Sequence, residues 1–162
     1  MIRVGKWVAL SLLFASAAWA AYETEAPVDF GLEQLGGGEV RLSDYREEWV
    51  VVNYWATWCA PCRKEIPDLS KLHDERSDVT VLGLAYEELD DSDFYTFLED
   101  FDVSYPILKV DVYNPPEPFG APKALPTTII LDKQGRAVKA FVGPVTREAI
   151  EQFIDGSTDL PE

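Results

Sequence analysis

The segment from residue 49 to residue 66 reads WVVVNYWATWCAPCRKEI. Its first half is rich in β-branched and aromatic residues and predicts a buried strand. Its polar second half predicts a helix, and Pro61 suits the first helical turn because the backbone N–H that proline lacks is not needed there. Cys59 and Cys62 are the only cysteines of the 162-residue chain, and they lie where the strand gives way to the helix.

This position gives the two cysteines a chemical role. A thiol at a helix N-terminus faces unpaired backbone N–H groups and the positive end of the helix dipole, which favour the thiolate that attacks disulfides. Cys59 is therefore the candidate nucleophile. Cys62 follows one turn later, where it can form a disulfide with Cys59 and release a mixed-disulfide partner.

Two other uses of the cysteine pair stay open. A structural zinc site usually needs a second pair of Cys or His ligands, and the chain offers only His73. We expect His73 to be solvated or to face the end of the helix dipole. A purely structural disulfide would close a very short loop and constrain the unfolded chain little. The sequence indicates no metal site and no cofactor.

The chain is strongly acidic: 14 basic and 29 acidic residues give a formal net charge of -15. This balance argues against nucleic acid or an anionic membrane surface as the main partner. The acidic run Glu87–Asp91 lacks the glycine and the alternating ligands of a calcium loop. We therefore interpret it as a solvated face.

Residues 1–21 are typical of an export signal. A basic head precedes an apolar stretch at residues 7–19, and Ala18 and Ala20 form an A-x-A arrangement. The apolar stretch is shorter than the ~20 residues of a typical spanning helix, and an uncleaved membrane anchor is the alternative. In both cases the rest of the chain is expected outside the cytoplasm, in the periplasm, where disulfides persist.

The remaining chain predicts one domain at residues 26–155, with a linker from Tyr22 to Val28 and a flexible acidic tail at residues 156–162. Strands alternate with helices and end in an antiparallel pair, which implies an α/β fold with a mixed central sheet and helices on both faces. The predicted elements are a hairpin around residues 36–38, a strand at 49–55, a helix at 61–76, a strand at 79–86, a helix carrying Phe94 to Phe101 and capped by residues 91–93, a strand at 105–110, a hairpin at 127–142 and a helix from Thr146 to about Ile154.

Three stretches resemble a single family: residues 51–67, Leu125–Thr128 and Leu131–Arg136. They are similar to the exported thioredoxin-like thiol-disulfide oxidoreductases of the TlpA/ResA type, a group that includes the cytochrome c maturation thioredoxins. The resemblance covers residues 26–154. It implies a thioredoxin fold with an N-terminal β-hairpin extension and a Cys59/Cys62 dithiol that exchanges disulfides.

The resemblance also implies substrate-binding residues. Pro126 matches the family's cis-proline, which would leave the backbone of Leu125 free to pair with an extended client segment. Trp58 matches the tryptophan that shields the nucleophile and contributes to the partner surface, together with Ala60 and Pro61. The alternatives are an ordinary trans bond before Pro126 and a core position for Trp58.

Glu65 matches the acidic residue that the family carries one turn after the second cysteine. Glu65 and Cys62 share a helix face, so a partly buried carboxyl could take the proton that Cys62 loses. Burial and a neighbouring thiolate would both raise the pKa of this carboxyl. Ordinary thioredoxins carry a buried Asp where this chain has Asn53, which cannot titrate. The alternative is a surface carboxylate paired with Lys64 or Arg63.

These observations predict an exported enzyme that reduces protein disulfides through a mixed-disulfide intermediate. The expected partners are disulfide-containing proteins and a membrane thiol-electron donor, and we expect a monomer, with a membrane tether as an option. A copper-handling module on the same fold is an alternative because the dithiol is soft. A peroxiredoxin-type peroxidase is disfavoured because it needs a distant resolving cysteine. Four prolines between residues 115 and 122 depart from the family pattern and leave the partner's identity open.

Overall fold

The computed structural model describes residues 22–158. The elements are β1 (Gly31–Glu33), β2 (Glu39–Arg41), a 3-10 helix (Leu42–Tyr45), β3 (Trp49–Trp55), α1 (Ala60–Glu75), β4 (Val79–Ala85), α2 (Asp91–Leu98), β5 (Ile107–Lys109), β6 (Thr127–Leu131), β7 (Ala137–Val142) and α3 (Arg147–Thr158). Their order is the one that the sequence predicts. The chain from residue 110 to residue 126 contains turns but no helix or strand. The prolines at residues 115–122 predict the absence of a helix there, whereas Val110, predicted to end a strand, lies just beyond β5.

β3 is the middle strand of a five-stranded sheet with the order β5-β4-β3-β6-β7. It pairs in parallel with β4 along its whole length and antiparallel with β6, so the predicted mixed sheet is confirmed. All residues of β3 and β4 are buried, which explains their near-continuous apolar sequences. β1 and β2 form a separate antiparallel hairpin, the expected N-terminal extension.

Two apolar layers cover the sheet because neighbouring residues of a strand point to opposite faces. Val51 and Trp55 of β3 pack in one layer, with buried side chains from α1, α2 and α3. Val52 and Tyr54 pack in the other layer, with the hairpin and the proline loop. Helices were expected on both faces, but on this second face the only helical contribution in the described residues is the short 3-10 helix that carries Leu42.

The segment from Tyr22 to Val28 is packed on the domain, so the predicted linker is wrong. Tyr22 is buried, and the backbone N–H groups of Thr24 and Val28 donate to the carbonyls of Ala137 and Gly135, each at 2.9 Å. These partners lie more than a hundred residues away in sequence. A local pattern therefore could not reveal them.

The boundaries of α2 differ from the predictions at both ends. The N-cap of α2 is Asp90 and makes no side-chain capping bond, and α2 ends at Leu98, so Phe101 lies beyond it. Phe97 and Phe101 still stack, with ring centroids 4.7 Å apart. At α3, Thr146 caps as predicted, with its Oγ1 accepting from the N–H of Ala149 at 3.3 Å.

The predicted tail begins inside α3, which continues to Thr158 and so passes the predicted end at Ile154. The rest of the tail and the whole predicted export signal lie outside the described residues. No helix between residues 22 and 158 is long and apolar enough to cross a membrane.

Gly83 of β4 faces tightly packed aromatic rings, so a substitution at this residue tests how closely the core is packed. A Cβ added there would lie 2.8 Å from Cε2 of Tyr105 and 3.2 Å from Nε1 of Trp55, and both rings are buried. Gly83→Ala is therefore expected to lower the free energy of unfolding by about 1–3 kcal/mol, measured by urea denaturation of the oxidised protein.

Gly156→Ala is the matched control. Gly156 is exposed on α3, and a Cβ there has nothing within 4 Å. The higher helix propensity of alanine should raise stability by up to about 1 kcal/mol. Equal stabilities for the wild type and Gly83→Ala would contradict the packing argument.

Candidate active site

Cys59 and Cys62 form a disulfide at the start of α1. Cys59 is the N-cap residue, and its Sγ accepts a hydrogen bond from the backbone N–H of Cys62 at 3.3 Å. Its own N–H donates to the carbonyl of Ala56 at 3.1 Å, which closes the turn between β3 and α1. In the reduced protein the same helix N-terminus would favour a thiolate on Cys59, as the sequence predicts.

Exposure distinguishes the two cysteines. Cys59 is 4% exposed, whereas Cys62 is fully buried at 0%. Trp58 is 68% exposed beside them, so its predicted place at the surface is confirmed and the core alternative is wrong. Ala60 and Pro61 are also exposed. Trp58 and the turn after it are thus exposed beside the pair, and of the two cysteines only Cys59 keeps any exposed surface.

Glu65 is buried on α1, so the alternative of a surface ion pair with Lys64 or Arg63 is wrong. Its Oε1 accepts from Nδ2 of Asn53 at 2.8 Å, and its Oε2 accepts from the backbone N–H of Val145 at 3.1 Å. Burial raises the pKa of Glu65 to about 7, and these two hydrogen bonds oppose that rise. Such a carboxyl exchanges its proton near neutral pH, which a general acid–base group requires.

The Leu125–Pro126 peptide bond is cis, as the resemblance implies. Pro126 is buried, and its carbonyl accepts from the N–H of Gly143 at 2.8 Å. Leu125 precedes the first paired residue of β6 and packs against the core layer that contains both cysteines. Its place beside that layer agrees with the predicted client-binding role, which stays a prediction.

Thr57 and Glu87 form a contact that the sequence did not reveal. The carboxylate of Glu87 accepts from the backbone N–H of Thr57 at 2.6 Å and from its hydroxyl at 3.0 Å. Glu87 belongs to the acidic run that was predicted to be a solvated face. It instead ties the loop after β4 to the turn before Cys59, and only the parallel pairing of β3 and β4 brings these residues together.

His73 also differs from its prediction. Its Nδ1 accepts a hydrogen bond from the backbone N–H of Val81 at 3.2 Å, so it connects α1 to β4. Its role in the fold is therefore structural. Among residues 22–158, no group of three or more His, Cys, Asp and Glu side chains is arranged to hold a metal ion.

The buried carboxyl of Glu65 makes stability depend on pH. The folded protein holds the proton with a pKa of about 7, whereas the ordinary value is 4.5. Burial of the neutral acid therefore costs less than burial of the carboxylate. The stability of the wild type relative to Glu65→Gln should be greatest below about pH 4.5 and should fall by about 3 kcal/mol as the pH rises to about 7.

Denaturant unfolding of the two oxidised proteins between pH 4 and pH 8 measures this difference, and neither cysteine titrates in the disulfide. A difference that stays constant across this range would show that Glu65 does not titrate as described.

Comparison with known proteins agrees with this geometry. A model of the AhpC/TSA family matches residues 23–140. The chain is 32% identical over 168 residues to the thioredoxin-like protein YneN of Bacillus subtilis, with 93% of this chain and 97% of YneN covered. It is 34% identical over 150 residues to the thiol-disulfide oxidoreductase ResA of Geobacillus kaustophilus, with 88% and 81% covered.

Among solved structures, a secreted thiol-disulfide isomerase from Corynebacterium glutamicum matches with a TM-score of 0.67 at 33% identity. The match covers 78% of this chain and 81% of that one. The described structure thus combines a thioredoxin-like fold with a Cys59–Cys62 disulfide, and its relatives include proteins named as thiol-disulfide oxidoreductases. The chain belongs to the AhpC/TSA family of thioredoxin-like domains and, within it, to the ResA-type thiol-disulfide oxidoreductases.

Proposed function

We propose that the protein is an exported reductant of protein disulfides that acts through the Cys59/Cys62 dithiol. The observation that carries this proposal is the asymmetry of the pair at the start of α1. Cys59 caps the helix and retains some exposure, and Cys62 is fully buried behind it. This asymmetry supports a role for Cys59 as the attacking sulfur and for Cys62 as the sulfur that releases the client.

The reaction proceeds in two exchanges. The Cys59 thiolate attacks one sulfur of a client disulfide, a Cys59–client disulfide forms, and the second client sulfur leaves as a thiolate. Cys62 then loses its proton and attacks the Sγ of Cys59. The Cys59–Cys62 bond forms, the mixed disulfide breaks, and the first client sulfur leaves with the remaining electron pair. The client gains two electrons and the protein is left oxidised.

In the second exchange, Glu65 accepts the proton that Cys62 loses. Cys62 is buried, so water cannot readily take its proton. Glu65 lies three residues later on the same helix face, and its pKa of about 7 suits a proton acceptor at neutral pH. In this proposal the proton of Cys62 passes to the Glu65 carboxylate and then to the departing client thiolate.

The client-binding surface includes the exposed Trp58, Ala60 and Pro61 around the nucleophile. An extended client segment would lie along the backbone of Leu125, before the cis-Pro126 bond. Main-chain pairing of this kind accepts many sequences, which suits an enzyme that acts on proteins.

Export and the reducing direction extend the same proposal. Residues 1–21 would direct the chain out of the cytoplasm, and the Corynebacterium relative is described as secreted. Disulfides persist outside the cytoplasm, so a reductant there needs a supply of electrons. A membrane thiol-electron donor would reduce the Cys59–Cys62 bond after each turnover. A peroxidase mechanism gains no support, because the two cysteines of this chain are bonded to each other three residues apart.

Single cysteine variants test the order of attack. Cys59→Ser is expected to abolish reduction of insulin disulfides, because the buried Cys62 cannot take its place. Cys62→Ser is expected to accumulate mixed disulfides through Cys59, seen on non-reducing gels and lost on reduction. Equal trapping by the two variants would contradict the assignment of Cys59 as the nucleophile.

The reduction potential of the Cys59/Cys62 couple tests the direction. If the protein is a reductant, its reduction potential should lie near that of thioredoxin, about -270 mV. It should also lie well below that of the oxidant DsbA, about -120 mV. Equilibration of the protein with glutathione buffers measures this value. A potential near that of DsbA would replace the reductant assignment with that of an oxidant.

A further inference from the structure

Asn53 occupies the centre of the sheet next to the catalytic helix. It is buried in β3 and lies opposite Thr128 of β6 in the antiparallel register. Its Nδ2 donates to Oε1 of Glu65 at 2.8 Å and to Oγ1 of Thr128 at 3.0 Å, and both contacts are buried. Both hydrogens of the side-chain amide are therefore used, one toward the helix and one toward the neighbouring strand.

This arrangement requires one orientation of the amide. With its nitrogen toward Glu65, Asn53 stabilises the ionised carboxylate. With its oxygen there, the carboxyl would have to be protonated to make a hydrogen bond. In this orientation the hydroxyl of Thr128 accepts the second amide hydrogen, which ties the amide to β6. The backbone N–H of Val145 donates to the other oxygen, so both oxygens of Glu65 are held.

The other groups that face Glu65 do not supply a positive charge. Cys62 shares its helix face, and Tyr105 precedes β5. Burial and the charge of Glu65 both raise the pKa of Tyr105, so this phenol stays neutral. The hydrogen bonds from Asn53 and Val145 are thus the described interactions that oppose the cost of burying the Glu65 carboxylate.

We propose that Asn53, oriented by Thr128, is a positioning residue that holds the Glu65 carboxylate ready to accept the proton of Cys62. This inference rests on the proposed role of Glu65 in resolving the mixed disulfide. Asn53 cannot exchange a proton itself. It acts through Glu65, by fixing where that carboxylate points and how readily it ionises.

The direct test is a carboxyl carbon-13 NMR titration of Glu65 in the oxidised protein, where the cysteines do not titrate. Asn53→Leu keeps the branched shape and the number of heavy atoms of the side chain and provides no hydrogen-bond donor. The Glu65 midpoint should rise by about 1 pH unit in this variant, because one hydrogen bond to the charged form is lost. Thr128→Val should cause a smaller rise, because it frees the amide to turn.

Thr127→Val is the matched control. Thr127 is the buried neighbour on the same strand, but its hydroxyl donates to the carbonyl of Ala124 at 2.7 Å. It should leave the Glu65 midpoint unchanged. If Asn53→Leu does not fold, the comparison of Thr128→Val with Thr127→Val decides the question. A Glu65 midpoint in Asn53→Leu equal to that of the wild type would overturn the inference. If Asn53→Leu does not fold, an unchanged midpoint in Thr128→Val would overturn it.

A kinetic measurement separates this inference from the proposed function. A mixed disulfide of Cys59 with a chromogenic thiol is prepared, and its release by Cys62 is followed against pH in the wild type, Asn53→Leu and Glu65→Gln. Release in Asn53→Leu should need a pH higher by about the NMR shift, about 1 unit. A shifted Glu65 midpoint in Asn53→Leu would show that Asn53 positions Glu65 as inferred. If, at the same time, Glu65→Gln releases the thiol with the pH dependence of the wild type, the proposed proton transfer through Glu65 fails.

Discussion

The hydrogen bond from the Cys62 N–H to the Sγ of Cys59 is the interaction on which the site depends. It exists because α1 begins at Ala60, immediately after the cysteine that ends the turn from β3. β3 in turn is held on both sides by paired strands and covered on both faces by apolar side chains. The short turn after such a strand has little freedom, so Cys59, the proposed nucleophile, is positioned before a client arrives.

The turn between β3 and α1 receives additional support from the neighbouring strand. The N–H of Tyr86 donates to the carbonyl of Trp55 at 2.8 Å, and the Glu87 carboxylate then accepts two hydrogen bonds from Thr57. Hydrogen bonds to a charged group are stronger than those between neutral groups. Contacts between the two chain segments therefore continue beyond the ends of β3 and β4. They reach the turn that carries Trp58.

The other side of the site shows a carboxyl, proposed to act in proton transfer, at a buried position where stability would favour an apolar residue. Glu65 is buried on the face of α1 that packs against the sheet, and burial raises its pKa to about 7. Burying such a group costs free energy unless it is hydrogen-bonded. Donors from Asn53 and Val145 reduce the cost without adding a charge, so the carboxyl stays able to gain and lose a proton near neutral pH.

The sequence by itself determined the order of elements, the buried central strands and the position of Cys59 and Cys62 at a helix start, since periodicity and helix-start signals act over a few residues. The resemblance to the TlpA/ResA-type proteins also marked Glu65, which shares a helix face with Cys62. Only the tertiary structure decided that Glu65 is buried, that Asn53 and Val145 hold it, and that Glu87 ties down the turn. The contacts of Asn53 with Glu65 and of Val145 with Glu65 span 12 and 80 residues, so strand register and loop packing, which local sequence does not encode, bring these groups together.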